Sequence, residues 1–156
     1  MIERYRKWVV AAVLLLTPLA GNAVTCSASA PNINFGSYNT LNTIQLPASD
    51  ISVTCAGLGF VAPKVTLSSG SGSYSARVMN GPAGNTLQYN LYTNSSYTTV
   101  FGDGSSGTGY YTGSLQFLFF GSVTYSVPVY AQLPGEQNVA PGTYSTNTPI
   151  TVTVSY

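Results

Sequence analysis

The chain has 156 residues, of which 44% are hydrophobic and 6% charged, with 16 glycines, 12 tyrosines, two cysteines and no histidine. Without histidine, Ser-His-Asp and Cys-His catalysis and any histidine-held metal are excluded, and five cations against four acids offer neither a basic stripe for nucleic acid nor an acidic tail. Low charge on so apolar a chain describes a folded domain rather than disorder, covered by Ser, Thr, Asn, Gln and Gly and poorly protected against self-association.

In chain order, Arg4, Arg6 and Lys7 precede an apolar run from Trp8 to Leu16, and small residues stand at Gly21 and Ala23. This is the three-part pattern of a secretory signal peptide, with cleavage expected after Ala23. The run falls short of the roughly 20 residues that span a bilayer, and Pro18 and Gly21 interrupt its end, so no stable membrane insertion is expected. Val24 and Thr25 before Cys26 do not resemble a lipidation box. The expected organisation is therefore a signal peptide at 1–23 and one domain at 24–156. Its only charged residues are Asp50, Lys64, Arg77, Asp103 and Glu136. Cys26 and Cys55 read as a structural disulfide of an exported protein. A metal site would need further ligands, and a redox pair would want CxxC spacing.

Beyond Cys26 no window has helical periodicity. Short β-branched and aromatic segments alternate with turns, as in a sandwich or barrel. Strands are expected around Asn32–Tyr38, Ile51–Cys55, Lys64–Ser68, Ala76–Met79, Leu87–Thr93 and Thr98–Phe101, then along Ser114–Leu133 and at the C-terminus. Ser68–Ser75, Asn80–Asn85 and Gly102–Gly109 read as glycine-rich loops. There is no internal repeat and no linker. In Ser114–Leu133, Leu115, Phe117 and Phe119 fall on one face while Leu118 and Phe120 fall on the other. Such a strand is either covered on both sides or presents an adhesive or subunit-contact patch. Pro128, lacking a ladder donor, marks an edge, a bulge or a sheet switch. In the last segment Ile150, Val152, Val154 and Tyr156 alternate with Thr151, Thr153 and Ser155, the period-two pattern of a strand with one buried face.

Catalytic chemistry finds little support. Asp50, Asp103 and Glu136 are the carboxylates available for a glycosidase-like pair, yet Asp103 in FGDGSSG and Glu136 in PGEQ sit in turns and Asp50 precedes a strand. GDGSSGTG lacks the lysine and helix start of a phosphate-binding loop, and calcium would need more oxygen ligands than Asp103 brings. No enzyme activity, metal or cofactor is expected. Lys64 and Arg77 read as surface cations, linked at most weakly to Asp50 or Asp103. Asn94-Ser95-Ser96 is formally a glycosylation sequon.

Three segments resemble a known family. NINFGSY (Asn32–Tyr38) followed by ISVTC (Ile51–Cys55) is similar to the start of the spore coat protein U domain. RVMNGPAGNTLQYNLYTNSSYTTVFGDGSSGTG (Arg77–Gly109) resembles its middle, and VPVYAQLPGEQNVAPGTYSTNTPITVTVSY (Val127–Tyr156) its end. The family includes subunits of archaic chaperone–usher pili of Gram-negative bacteria. The resemblance implies an all-β, incomplete immunoglobulin-like sandwich of six main strands whose seventh is supplied in trans. It also implies a periplasmic chaperone that lends a strand, an outer-membrane usher and strand exchange with other pilin-like subunits, and hence passage through the periplasm to a fimbrium at the cell surface.

On this reading Ile150, Val152, Val154 and Tyr156 line a strand-acceptor groove that the Cys26–Cys55 bridge stiffens. Four exposed apolar side chains would forfeit roughly 1.5 to 3 kcal/mol each, and an open edge beside them invites strand addition. The family's shaft subunits carry a donor segment ahead of the first cysteine, whereas cleavage after Ala23 leaves Val24 and Thr25 there. The chain is thus expected to accept a strand without donating one, as a tip subunit contributing to attachment and biofilm would. Leu115, Phe117, Leu118, Phe119 and Phe120 remain as an adhesive patch, a substitute donor or core. The alternatives are a spore-coat or envelope protein that self-associates without an usher, and a carbohydrate-binding module built on the tyrosines.

Overall fold

The structure is a computed structural model that describes residues 23–156; residues 1–22 of the expected signal peptide lie outside the described residues. Eight strands carry the fold: β1 (Thr25–Ser29), β2 (Ile44–Val61), β3 (Lys64–Leu67), β4 (Arg77–Asn80), β5 (Thr86–Tyr92), β6 (Tyr111–Thr112), β7 (Gln116–Leu133) and β8 (Val152–Ser155). Among the described residues the one helical feature is a single 3₁₀ turn at Pro82–Gly84. One sheet has the order β1-β2-β7-β5-β4 and the other β6-β3-β8. All pairings between these strands are antiparallel. The result is an all-β, sandwich-like domain.

β2 and β7, 18 residues each, form its spine. Ile51, Val53 and Cys55 of β2 and Tyr125, Val127, Val129, Ala131 and Leu133 of β7 are buried, while the Ser and Thr residues between them face out. Across that outer face Thr54 and Thr124 are register partners with hydroxyls 3.0 Å apart, a cross-strand pair of the kind that stabilises a sheet. Leu87, Tyr89 and Leu91 of β5 extend the buried face of the same sheet, Val65 and Leu67 of β3 join the core from the other sheet, and Phe101 belongs to the same cluster. The β2–β7 register shifts between Leu46 and Ser49, where Pro47 lies, and again at Gly57/Leu58. Proline cannot donate to a ladder, so a bulge accommodates it. Pro128 stands opposite Asp50 within the same ladder, beyond the end of the β5 pairing at Tyr130–Gln132, so on that side it sits at an open edge.

Several elements differ from the sequence expectation. Asn32–Tyr38 has no ladder partner among the described residues. It is broken locally by the Asn34 carboxamide oxygen, which accepts from the Gly36 N–H at 2.9 Å, an asparagine turn competing with strand pairing. Thr98–Phe101 makes isolated bridges (Tyr92 to Val100, Phe101 to Gly109) rather than a strand. Conversely, β1 and the first half of β2 were not expected, because TCSAS has no apolar alternation and Pro47 argues against a strand.

Cys26 and Cys55 are register partners of β1 and β2 and form the disulfide. It ties an otherwise five-residue edge strand to the spine. The bridge spans 29 positions, so opening it should cost roughly 3 kcal/mol through the entropy returned to the unfolded chain. The paired substitution C26S/C55S is expected to lower the urea midpoint accordingly while leaving the far-UV spectrum that of a β protein. An unchanged midpoint would mean that β1 is held by its ladder alone.

Candidate functional site

Among the described residues β8 is an edge strand, paired with β3 on one side and open on the other. The direction of its free groups follows from the hydrogen bonds. The Ser68 N–H donates to the Thr151 carbonyl at 3.0 Å, and the Leu67 N–H turns away to the Gly102 carbonyl. Leu67 and Val152, which face each other, are therefore a non-hydrogen-bonded pair. By the alternation of an antiparallel ladder, the N–H and C=O of Val152 and Val154 point to the open edge.

Beyond that edge lies a groove of about 640 Å³. Ile150 and Val152 form one bank, and Ile33 and Phe35 the other. The second bank is the Asn32–Tyr38 segment, whose side chains alternate in a strand-like way, Ile33 and Phe35 half-buried and Asn32 and Asn34 exposed. Ile51, Leu67, Tyr89, Leu91 and Val129 make the floor, and Phe35 stands edge-on to Tyr89 with ring centroids 5.8 Å apart. Tyr144 closes one end, its hydroxyl donating to the Ala140 carbonyl at 2.7 Å. A trough with an apolar floor, polar at Asn32, Asn34, Ser49, Ser145 and Thr146, between the free side of β8 and an extended segment without a ladder, has the shape and chemistry to take up a β-strand.

The four C-terminal apolar residues divide. Ile150 and Val152 line the groove, Val154 packs half-buried against the core, and Tyr156 is 57% exposed and outside the lining. The sequence reading missed the far bank as a groove wall, along with Met79 and Tyr144. The alternation of Ile33 and Phe35 was the signal, read there as an ordinary paired strand.

The aromatic segment is an exposed arm. Leu115, Phe117, Phe119 and Phe120 are 56% to 76% exposed, whereas Leu118 is buried. Leu118 thus leaves the expected patch, because period-two alternation turns it to the core between two outward neighbours. The register shift leaves Phe120 unpaired, with a φ of 49°, a left-handed conformation that aromatic residues rarely adopt. This bulge lets consecutive Phe119 and Phe120 both stay exposed, their rings 5.3 Å apart. Phe60, which the sequence did not single out, is 71% exposed and joins them from β2, opposite Phe117 with centroids at 4.9 Å.

The charged groups do not gather into a catalytic site. Asp50 accepts from the Ser126 hydroxyl, and Asp103 from the Ser105 N–H and hydroxyl. Those hydrogen bonds hold the Asp103 carboxyl below its usual range. The Glu136 N–H donates to the Thr40 carbonyl in a turn. No cluster of His, Cys, Asp and Glu able to hold a metal occurs among the described residues. Lys64 lies 3.9 Å from the centre of the Tyr110 ring. The Asn94 carboxamide caps its own loop, donating to the Thr98 hydroxyl at 2.7 Å and accepting from the Thr98 and Thr99 N–H groups.

Arg77 corrects the surface expectation outright: it is completely buried. Its guanidinium donates to the Asn90 carboxamide oxygen at 2.5 Å, the Ser68 carbonyl at 3.0 Å and the Phe101 carbonyl at 2.7 Å. None of these acceptors is a carboxylate, and Nε has no partner. Burial lowers its pKa. Desolvating such a charge costs several kcal/mol, which hydrogen bonds of about 1.5 to 3 kcal/mol each to a charged donor offset.

Fold and groove together define a β-sandwich open along one edge. The chain belongs to the Spore Coat Protein U domain family, whose family model matches residues 12–153. No curated protein matches it. Among solved structures it is similar to a chain of the CsuC–CsuE chaperone–tip adhesion subunit pre-assembly complex from archaic chaperone–usher Csu pili of Acinetobacter baumannii, with a TM-score of 0.56 and 20% identity. The match covers 86% of this chain and 40% of that one, so the chain spans less than half of its relative's length. At that identity the likeness establishes the fold.

The titrating groups give a pH profile. Burial raises the pKa of Tyr74, Tyr89, Tyr92 and Tyr125. Their contribution to stability is complete below the unfolded tyrosine value, about 10, and is lost as pH rises through the raised folded values. Asp103 acts in the opposite sense: its contribution is present above the unfolded value, about 3.9, and is lost as pH falls through the depressed one. With no histidine in the sequence, thermal midpoints measured against pH should be level from about 5 to 9 and fall above about 10. A step near pH 6 to 7 would contradict this assignment.

Proposed function

We propose that this chain is an exported, non-catalytic structural and adhesive subunit assembled by donor-strand complementation. Residues 1–23 direct export and are removed, and 24–156 form the assembled domain. A periplasmic chaperone fills the groove in transit, an outer-membrane usher receives the subunit, and a strand from another pilin-like subunit replaces the chaperone's in a surface fimbrium. The observation that carries the proposal is the open edge of β8 beside an apolar groove. Chaperone-usher assembly is a known use of this family's fold, and a chaperone–subunit pair is what the similar structure contains. The disulfide at Cys26 and Cys55 fixes β1 near the groove.

The exposed arm supports a position at the fibre tip, with a role in attachment and biofilm. Residues 57–61 and 115–124 carry no charge, and the five large apolar side chains there lie away from the groove lining. An uncharged aromatic patch of this kind marks a contact surface. The usher-free envelope reading shares the groove and differs in its partners.

Two experiments test these roles. Produced in a periplasm with a chaperone of the archaic class, the chain should be recovered as a one-to-one complex. V152D, which places a charge on the groove bank, should reduce that recovery by tenfold or more, in keeping with the roughly 1.5 to 3 kcal/mol at stake for one buried apolar side chain. Recovery of a folded, chaperone-free monomer indifferent to V152D would overturn the proposal, and stable multimers formed without an usher would favour the envelope reading. Separately, F117S/F119S should leave chaperone capture unchanged and reduce surface attachment severalfold; unchanged attachment would remove the adhesive role from the arm.

A further inference from the structure

Arg77 is a buried cation with no carboxylate among its partners in the described residues, and the groups it binds are not scattered. The Ser68 carbonyl directly follows β3, in the three-stranded sheet, whereas Asn90 lies in β5, in the five-stranded sheet. The Phe101 carbonyl belongs to a strap between the two sheets: the Phe101 N–H donates to the Leu91 carbonyl at 2.8 Å, and the Gly102 carbonyl accepts from the Leu67 N–H at 3.0 Å. Asn90 extends the hub, its Nδ2 donating to the Tyr74 carbonyl and its Oδ1 accepting from the Leu91 N–H. A planar guanidinium presents several donors in a fixed fork that joins three acceptors from separate segments, whereas an ammonium carries three rotatable donors on one atom and an apolar side chain none.

The segments so joined carry the groove. Leu67 precedes Ser68, Tyr89 and Leu91 flank Asn90, Tyr89 is the register partner of Arg77, and Met79 lies two residues further along β4. All four line the groove. Arg77 itself does not touch it. Its three hydrogen bonds and the Tyr74 ring, 5.5 Å from the guanidinium carbon, offset the cost of burial, but among the described residues Nε has no partner, and well-packed apolar residues often match or exceed a buried charge in stability.

We infer that Arg77 is a positioning residue for the groove: by fastening β3, β5 and the Phe101–Gly102 strap to one another, it sets the spacing of the floor that an incoming strand must fit. The inference rests on the acceptor reading above. It makes the empty groove pre-organised rather than collapsed, which lowers the cost of strand capture.

The test uses the full exported chain and a synthetic peptide of about nine residues alternating valine and threonine, the length of an ordinary long strand. R77M should raise the peptide Kd of the folded protein at least tenfold, with R77K in between. V53A, a core substitution outside the groove lining, should lower the denaturation midpoint yet leave that Kd unchanged. Should R77M fold only with peptide present, the dissociation rate after dilution replaces the Kd, again at least tenfold faster than wild type. R77M binding the peptide as wild type does, or failing to fold even with saturating peptide, would overturn the positioning role and leave the acceptor reading intact. A wild-type chain that ignores the peptide would overturn both.

Discussion

The N–H and C=O groups of Val152 and Val154 point away from β3 to an edge without a ladder partner among the described residues, with Val152 in the groove lining, and much of the remaining architecture is arranged around that edge. A sheet edge can be blunted by charge, proline or a covering loop. Here the edge strand is Val-Thr-Val-Ser, uncharged and without proline, and its apolar residues lean over a floor drawn from both sheets. The opposite bank, Ile33 and Phe35, has the side-chain alternation of a strand and no ladder. A bank paired on one side only and a bank without a ladder, over a common apolar floor, leave space for one extended segment between them, and that is the basis on which the assembly role is proposed.

The rest of the fold compensates for the open side. The long β2–β7 ladder is a rigid spine, the Cys26–Cys55 bond holds the short β1 against it, and the Arg77–Asn90 hub joins the two sheets beneath the groove floor. Each device sits at a different place, and each replaces contacts that a complete sandwich would obtain from its full set of strands. The aromatic arm is separate from this frame. The bulge at Phe120 lets Phe119 and Phe120 both stay exposed beside Leu115, Phe117 and Phe60, and none of these five side chains lines the groove.

What could be read in the sequence was what side-chain pattern encodes. Period-two alternation located β8, β-branched and aromatic segments located the middle of β2 and the run of β7, and two lone cysteines identified the disulfide. Backbone-dependent features were not legible. Arg77 was read as a surface cation because its acceptors include two main-chain carbonyls, Ser68 and Phe101, which leave no mark on a side-chain pattern. Alternation already put Leu118 and Phe120 on the face opposite Phe119; that Phe120 is exposed while Leu118 is buried depends on a bulge centred on a phenylalanine, where glycine would have signalled it. Phe60 became part of the arm only through a register that pairs it with Phe117. β1 was missed since its small polar residues are held by the spine and the disulfide, not by apolar burial of their own. The groove was half visible: one bank was recognised in the terminal strand, while the other was mistaken for a paired strand.

The central claim, that β8 keeps an open edge for a strand from outside the chain, is tested most directly by amide hydrogen exchange at single residues. In the isolated protein the Val152 and Val154 amides should exchange at nearly the rate of an unstructured chain, while Thr153, bonded to β3, is protected. Binding of a chaperone or strand peptide should then slow Val152 and Val154 by about a hundredfold or more, as hydrogen-bonded sheet amides are slowed. Strong protection of Val152 and Val154 before any partner is added would show that the chain covers this edge itself, and would contradict the account.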